Sequence, residues 1–438
     1  GGSLAGVILF GWLSFGALRP VWWFAPFLLA GFVLVRKDRR TLVVHLLATV
    51  LVLVAVVRAD DAQIYSPYYA LSAVQDEDTP NYRIRANGAF HQLAADVNTP
   101  DRFGGGLYNG YRIPHRSLGR PIRKALVLGA GTGNDVAVLL SEGVEEVHAV
   151  EIDPSIIQLG REFHPNQPYG DPRVTVHNMD ARSFLNESEE LFDLIVFGTL
   201  DSMTRLSALS NVRLDNFVYT KEALAAARAR LSVDGGLALY FMVGQGYIHD
   251  HLVALLAATF EEMPRSENGD YWMFNSVYLA GPGFAHLRVP DTPETHDRLM
   301  ASLAFVDLPS DDWPYLYMES RAVTPFYLSM MLTLVALGFL FVFGSSPDMR
   351  RALRGRGGAD PEMFLFGVGF LLIETKFVTA MNLLWGATWI TSAVVFGAIL
   401  ATVLIGTLLA DRVPISWRTA GIGLVLALLA VYAFPIGS

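Results

Sequence analysis

Cysteine is missing altogether from the 438 residues. Its absence removes thiolate nucleophiles, Cys-ligated zinc, iron–sulfur clusters and disulfide frameworks. Charge is scarce as well: 17% of residues are Asp, Glu, Lys or Arg, against 52% hydrophobic, at a mean hydropathy of +0.35. That is too apolar for an ordinary soluble enzyme, too charged for a pure membrane bundle, and unlike a disordered or collagen-like chain. A basic excess is lacking too. The net charge is −9, so no cationic stripe exists to neutralise phosphates, and nucleic acid is not an expected partner.

The apolar residues gather at the two ends, and the middle has ordinary globular composition. Runs near 4–18, 21–35, 41–57, 323–344, 362–384, 388–410 and 418–435 approach the roughly 20 residues that cross a bilayer. Trp22, Trp23, Trp313, Trp385, Trp389 and Trp417 stand at or near their ends, where indoles favour the interface. Gly1-Gly2-Ser3 reads as a cloning remnant, so native residues are expected upstream. The predicted organisation is N-terminal transmembrane helices over 1–58, a small β-rich unit over 59–122, a Rossmann-like domain over 123–322, and C-terminal transmembrane helices over 323–438. The fold class is thus an α-helical membrane bundle of about seven spans with an inserted α/β domain.

Within the middle, strand and helix patterns alternate. Strands are predicted over 124–130, 146–153, 174–180, 192–198 and 237–243, with helices over 133–143, 154–163 and 220–231. The last helix is predicted to close at Asp234-Gly235-Gly236. This order means a doubly wound parallel sheet. Ahead of it, 64–74 and 82–90 alternate like a small antiparallel unit.

The strongest chemical signal is Gly129-Ala130-Gly131-Thr132-Gly133-Asn134-Asp135, directly after a strand and opening a helix. Glycines let the backbone turn tightly near a ligand, and the helix start offers free N–H groups. Eighteen residues beyond Gly133, the second strand ends in Glu151, an acid placed to accept both hydroxyls of a ribose. The third strand ends in Asp180-Ala181, placing a carboxylate for an adenine amino group. A glycine turn that only packs a helix on a strand would not need acids at two further strand ends. An NAD(P) site is disfavoured because the spacing is G-x-G-x-G rather than G-x-G-x-x-G.

The stretch from Tyr65 to Gly283 resembles the spermidine synthase family, a branch of the class I S-adenosylmethionine-dependent transferases. The matching pieces are Ser66-Pro67-Tyr68-Tyr69, Asn87-Gly88 with Gln92, the glycine loop, Val150-Glu151-Ile152-Asp153, Asp171-Pro172-Arg173-Val174 and Phe192-Asp193-Leu194-Ile195-Val196. Tyr219-Thr220-Lys221-Glu222, Asp311-Asp312-Trp313-Pro314-Tyr315 and the run from Phe370 to Lys376 look like bacterial members that carry transmembrane segments. The resemblance implies a sulfonium donor and an amine acceptor, with Tyr68 and Gln92 on the substrate side.

Two departures bear on chemistry. Members that use decarboxylated S-adenosylmethionine place an aspartate in the glycine loop, where this chain has Thr132, so ordinary S-adenosylmethionine and methyl transfer become the expectation. Aminopropyl or aminocarboxypropyl transfer is the alternative, and a transporter or sensor with a nucleoside-binding domain is a third reading. The family's run after the fourth strand begins with an aspartate that helps deprotonate the amine; here it reads Gly198-Thr199-Leu200-Asp201, with only the second acid kept. An attacking amine must lose a proton, so substitutes are sought in Asp201, His91, Tyr108 and His115. His91 adjoins Gln92, while Tyr108 and His115 lie in a Gly/Tyr-rich stretch read as a loop over the site. No metal is expected. Asp312 is predicted to line a passage between pocket and membrane.

Glu374 and Lys376 fall midway through the fifth apolar run, where each charge costs ~2.5–3.5 kcal/mol on insertion scales, so both are expected to face the bundle interior or a cavity. The basic loops (Arg36 to Arg40, Arg350 to Arg356, Arg412 with Arg418) fall on one face, opposite the soluble part. The positive-inside rule puts that part outside the cytoplasm, whereas donor supply puts it inside. A multi-pass location in the cell's inner membrane, a small-molecule or lipid-linked acceptor, and an open question of homo-oligomerisation complete the expectations.

Overall fold

The structure, a computed structural model, describes residues 2–60, 64–98, 106–200, 217–287, 306–345, 361–410 and 416–433, less positions 270, 272, 324 and 387, together with 301, 303, 412 and 413. Apolar helices occupy both ends: α1 (Gly2–Phe15), α2 (Pro20–Val35) and α3 (Arg39–Ala59) precede the central region. After it come four more apolar helices, Pro325–Ser345, Pro361–Trp385, Trp389–Ala410 and Trp417–Ala433.

In between, β1 (Ile64–Tyr65), β2 (Ala70–Gln75), β3 (Tyr82–Ala86) and β4 (Ala89–Ala94) form a four-stranded antiparallel sheet. α4 (Gly106–Leu118) then leads into β5 (Lys124–Leu128), α5 (Asn134–Ser141), β6 (Glu146–Glu151), α6 (Pro154–Phe163), β7 (Val174–Asn178), α7 (Ala181–Glu187) and β8 (Phe192–Phe197). α8 (Lys221–Ala229), β9 (Leu231–Phe241), α9 (Gly246–Phe260), β10 (Arg265–Asn268) and β11 (Ser276–Ala280) complete it. The four C-terminal helices are α10 to α13 in chain order.

The large sheet runs β10-β11-β9-β8-β5-β6-β7. Its strands from β9 to β7 are parallel, and β11 and β10 add an antiparallel edge. The chain winds from β5 outward through β6 to β7, then returns to build β8 and β9 on the other side. The reversal opens a crevice at the carboxyl ends of β5 and its neighbours, the usual ligand position in such sheets. β5 shows why the sheet is buried on both faces: Ala125 and Val127 join one core with α5, while Leu126 and Leu128 join the other with α7, α8 and α9. Period-2 alternation splits the strand between the two layers. The small sheet packs Leu71, Ala73 and Ile84 against Ile156 and Leu159 of α6, which seats it over the crevice.

The structure revises the sequence reading in several places. Apolar helices stand at all seven predicted positions, but only α3, Gly367–Trp385 of α11 and Trp389–Leu409 of α12 are long and apolar enough to cross a membrane among the described residues. Of the two charges expected to face an interior or a cavity, Glu374 is half-buried and Lys376 lies on the exposed surface of α11. Residues two apart on a 3.6-residue turn point to different sides. Asp234-Gly235-Gly236 does not end α8; it belongs to β9, where a Cβ at Gly235 would stand 3.0 Å from the Phe192 carbonyl oxygen of β8. The Gly/Tyr-rich stretch is not a loop but α4, held to the core by buried Tyr111 and Leu118.

Candidate functional site

The crevice is walled by the β5–α5 turn, the ends of β6 and β7, the residues after β8, and β4 of the small sheet. At the turn, Gly131 has φ +56°, and a Cβ there would lie 2.5 Å from Gln92 Oε1. Only glycine combines that backbone with that approach. The Gly131 N–H donates to Glu151 Oε2 at 2.9 Å, and the Tyr169 hydroxyl donates to the Gly131 carbonyl at 2.6 Å. Glu151 Oε1 accepts the Asp153 N–H at 3.0 Å. Loop and acid are thus one unit. Burial pushes the Glu151 carboxyl up to about 7, against the pull of these N–H groups.

Asp180 follows β7 as the N-cap of α7, its Oδ1 accepting the Ser183 N–H at 2.9 Å and the Ser183 hydroxyl at 3.3 Å. Burial raises its carboxyl as well. Ala181 lines the pocket beside it. The acids predicted from two strand ends therefore reach one cavity with Gly129, Ala130 and Gly131.

Opposite, β4 supplies His91 and Gln92. The Gln92 Oε1 accepts from Thr132 N at 3.0 Å and Thr132 Oγ1 at 3.1 Å, tying the small sheet to the glycine loop. Tyr69 lies against His91 with the rings tilted, centres 5.5 Å apart, and both line the cavity. Desolvation lowers His91 to about 4, so it is neutral at physiological pH. Tyr68 is not among the lining residues; burial first, and the nearby Asp153, Asp180 and Glu151 charges next, raise its hydroxyl. Ser66 positions this segment by donating to Asp153 Oδ2 at 2.6 Å while accepting both the Tyr68 and Tyr69 N–H groups.

Several predicted residues take other positions. Thr132 is fully buried and turned toward Gln92, outside the cavity lining. Gly133 is the N-cap of α5. Asn134 lines the cavity, yet its side chain is engaged: Oδ1 accepts from Ala95 N at 3.0 Å and meets His164 Nε2 at 3.1 Å, and Nδ2 donates to the Leu93 carbonyl at 2.7 Å. His115 Nδ1 stands 3.5 Å from Glu142 at the end of α5, and His115 is not among the residues that line the cavity. Asp201 lies outside the described residues, as does the Tyr108 side chain within α4.

Asp312 is exposed and does not reach the cavity; its neighbour Asp311 is the anchored acid. Asp311 Oδ1 accepts from Thr220 Oγ1 at 2.8 Å, and its Oδ2 lies 3.2 Å from Arg182 Nη2. The Asp311 N–H donates to Glu222 Oε2 at 2.9 Å. These contacts clamp the segment before α10 onto α7 and α8.

Gly198 has a structural reason to lack a side chain. Its N–H donates to the Leu128 carbonyl at 2.9 Å, and a Cβ would stand 2.8 Å from the Gly129 carbonyl oxygen. Leu200 covers this stretch instead, its side chain packed over Gly129. The sequence reading missed Tyr69, Tyr111, Leu200, Met242 and Met273 as lining residues. Met242 follows β9 directly, so the strand-end rule that found Glu151 and Asp180 also reaches it.

Residues 113–238, which include most of the parallel part of the large sheet, match the model described as the spermine/spermidine synthase domain. A polyamine aminopropyltransferase of Korarchaeum cryptofilum is 33% identical over 141 residues, 30% of this chain and 40% of that protein. Polyamine aminopropyltransferase 2 of Bacillus anthracis is 27% identical over 216 residues, 44% of this chain and 58% of that protein. The chain thus spans 40% and 58% of these relatives' length, less than two thirds of either. A spermidine synthase structure from Thermotoga maritima, 15% identical, superposes with a TM-score of 0.40 over 63% of this chain and 85% of its own.

Proposed function

We propose that this chain is a membrane-attached transferase that binds a sulfonium donor of the S-adenosylmethionine type in the crevice and moves an alkyl chain from it to an amine. Aminopropyl transfer from decarboxylated S-adenosylmethionine to a diamine or polyamine is the leading reaction. The observation that carries the reading is the convergence of the Gly131 turn, Glu151 and Asp180 on one cavity. Names of the matched relatives support aminopropyl transfer over methyl transfer, reversing the preference drawn from the sequence departures at Thr132 and Gly198.

The residues fit such a donor. Glu151 is placed to accept ribose hydroxyls, and Asp180 stands at the adenine end, one strand further along. The donor's sulfonium makes the attached carbon electrophilic, so the protein need only hold an uncharged amine in line and exclude water. Neutral His91 can accept a hydrogen bond from that amine, orienting its lone pair; at about 4 its basicity is too low for efficient proton removal at pH 7. Lipid contact is the best account of the exposed apolar helices, such as α3 with Val43, Leu47 and Leu51 more than half exposed.

Methyl transfer from S-adenosylmethionine is the second reading, favoured by Thr132 and Gly198 standing where the resemblance expects aspartates. Product analysis separates the two. The purified full chain, given either donor and a diamine, is expected to release methylthioadenosine. S-adenosylhomocysteine would mean methyl transfer, and failure to bind either nucleoside would overturn the donor site.

A further inference from the structure

Three carboxylates line the cavity, and two are already engaged. Glu151 holds the Gly131 and Asp153 N–H groups, and Asp180 holds Ser183. Asp135 differs. It is 7% exposed, and its Oδ1 is buried with no hydrogen-bond partner among the described residues. Tyr240 hydrogen-bonds to this carboxyl through the hydroxyl that also lies 3.3 Å from the Tyr111 carbonyl, which leaves Oδ1 as the unpaired oxygen. A buried carboxylate oxygen without a partner costs free energy in the empty protein. Its place in a ligand cavity, at the start of α5, gives the ligand as its missing partner.

The chemistry of the surroundings narrows that ligand. A metal ion would need further oxygen or nitrogen ligands in reach. Among the described residues the one cluster of that kind is Glu146, His148 and Glu190, at the amino end of β6, where Lys124 already bridges the acids. Tyr111, Met242 and Met273 give the same cavity apolar and aromatic wall surface. A single carboxylate in such a wall suits a compact cation on an alkyl chain.

We infer that Asp135 is the counter-charge for a primary alkylammonium group bound in the cavity. This rests on the donor-site reading above. The ammonium can belong to the donor's alkyl chain or to the acceptor's second, non-attacking amine; the recognising chemistry is the same. Asp135 also supplies the negative charge that Thr132, turned to Gln92, does not.

The test is calorimetry on the full chain in detergent. Methylthioadenosine, which lacks an ammonium, reports the nucleoside site alone. 5′-(3-Aminopropyl)thioadenosine adds the donor-side ammonium, and 1,4-diaminobutane titrated into methylthioadenosine-loaded protein adds the acceptor-side one. Asp135→Asn is expected to weaken one of the two amines about 10- to 100-fold, the usual effect of a charged hydrogen bond, with methylthioadenosine within twofold of wild type. Loss confined to the thioadenosine assigns the donor chain, and loss confined to the diamine assigns the acceptor. Unchanged affinity for both overturns the inference while leaving the donor site standing. Wild-type protein that fails to bind methylthioadenosine instead sinks the donor site and the inference with it. Should Asp135→Asn not fold, wild type decides through neutral analogues. Equal affinities for the 3-hydroxypropyl and 3-aminopropyl thioadenosines, and for butanediol and diaminobutane, would overturn it.

Discussion

Gly386, one residue past the end of α11, stands directly on Asp180. A Cβ at position 386 would lie 2.8 Å from Asp180 Cβ and 3.0 Å from Ser183 Oγ, and Gly386 has φ +84°. An apolar helix of membrane-crossing length therefore ends on the acid assigned to the adenine side of the cavity.

Gly386→Val should consequently weaken methylthioadenosine binding. The variant meets both a left-handed backbone and a filled contact, together worth about 1–3 kcal/mol, or roughly 5- to 150-fold in Kd. Gly367, near the other end of α11, has nothing within 4 Å of its Cβ position, so Gly367→Val is the control. Equal affinity in the two variants would show that the helix end does not rest on Asp180.

Much of the central fold is legible in the sequence, because buried parallel strands are continuous apolar runs and their carboxyl ends are where acids and glycines collect. Glu151 and Asp180 were found that way. What stayed hidden turns on direction. In Asp311-Asp312 the sequence cannot say which acid points inward; the structure turns Asp311 to Arg182 and Thr220 and leaves Asp312 in solvent. The 106–118 stretch reads as a loop because glycines punctuate it. Gly110, however, serves close packing, since a Cβ there would meet the Phe274 and Tyr271 rings at 2.8 Å. Glycine for contact and glycine for turning look alike in a sequence.

Glu151→Ala removes the acceptor that fixes the Gly131 and Asp153 N–H groups as well as the proposed ribose contact. Nucleoside affinity is expected to fall by about 1.5–3 kcal/mol. Titration of methylthioadenosine into the variant checks this, and an unchanged Kd would remove Glu151 from the site.

Asp135 gives a pH signature. Burial raises its carboxyl to about 7 in the folded protein, against the unfolded value of 3.8. A raised carboxyl favours the fold while protonated and loses that contribution as pH rises through the folded value. Asp135→Asn, which cannot ionise, should therefore be more stable than wild type at pH 8, with the advantage shrinking as pH falls from 7 toward 4. Glu151 is raised for the same cause but is present in both proteins, so the difference isolates Asp135. Melting temperatures at pH 5 and pH 8 measure it; a difference independent of pH contradicts the account.

Restoring an acid after β8 should not restore a base. Gly198→Asp must place a Cβ 2.8 Å from the Gly129 carbonyl oxygen and 3.2 Å from that of Leu128, backbone atoms where β5 passes into the glycine loop. Overpacking of this kind costs about 1–3 kcal/mol. The expected result is a lower melting temperature and weaker nucleoside binding, without added turnover. A variant that keeps wild-type affinity and gains rate would show that the loop yields to the side chain, and that the missing acid alone limits the chemistry.

Asp311 and Asp312 provide the sharpest comparison between neighbours. Asp311 holds Arg182, whose side chain is 11% exposed and whose Nε and Nη1 have no other hydrogen-bond partner among the described residues. Asp311→Ala would strand that guanidinium next to Ala181, on the same helical turn as Asp180. Removing one partner of a fully buried pair costs about 3–5 kcal/mol, and the Asp311 side chain is 22% exposed, so about 1–3 kcal/mol is expected here. Because Arg182 begins the helix that Asp180 caps, nucleoside affinity should drop as well. Asp312→Ala, on an exposed side chain, should stay within about 0.5 kcal/mol of wild type and bind the nucleoside normally. Thermal unfolding and methylthioadenosine titration of both variants decide it. If Asp312→Ala proves the more damaging, the motif faces the ligand after all, and the clamp between the segment before α10 and the donor domain is not what holds the site.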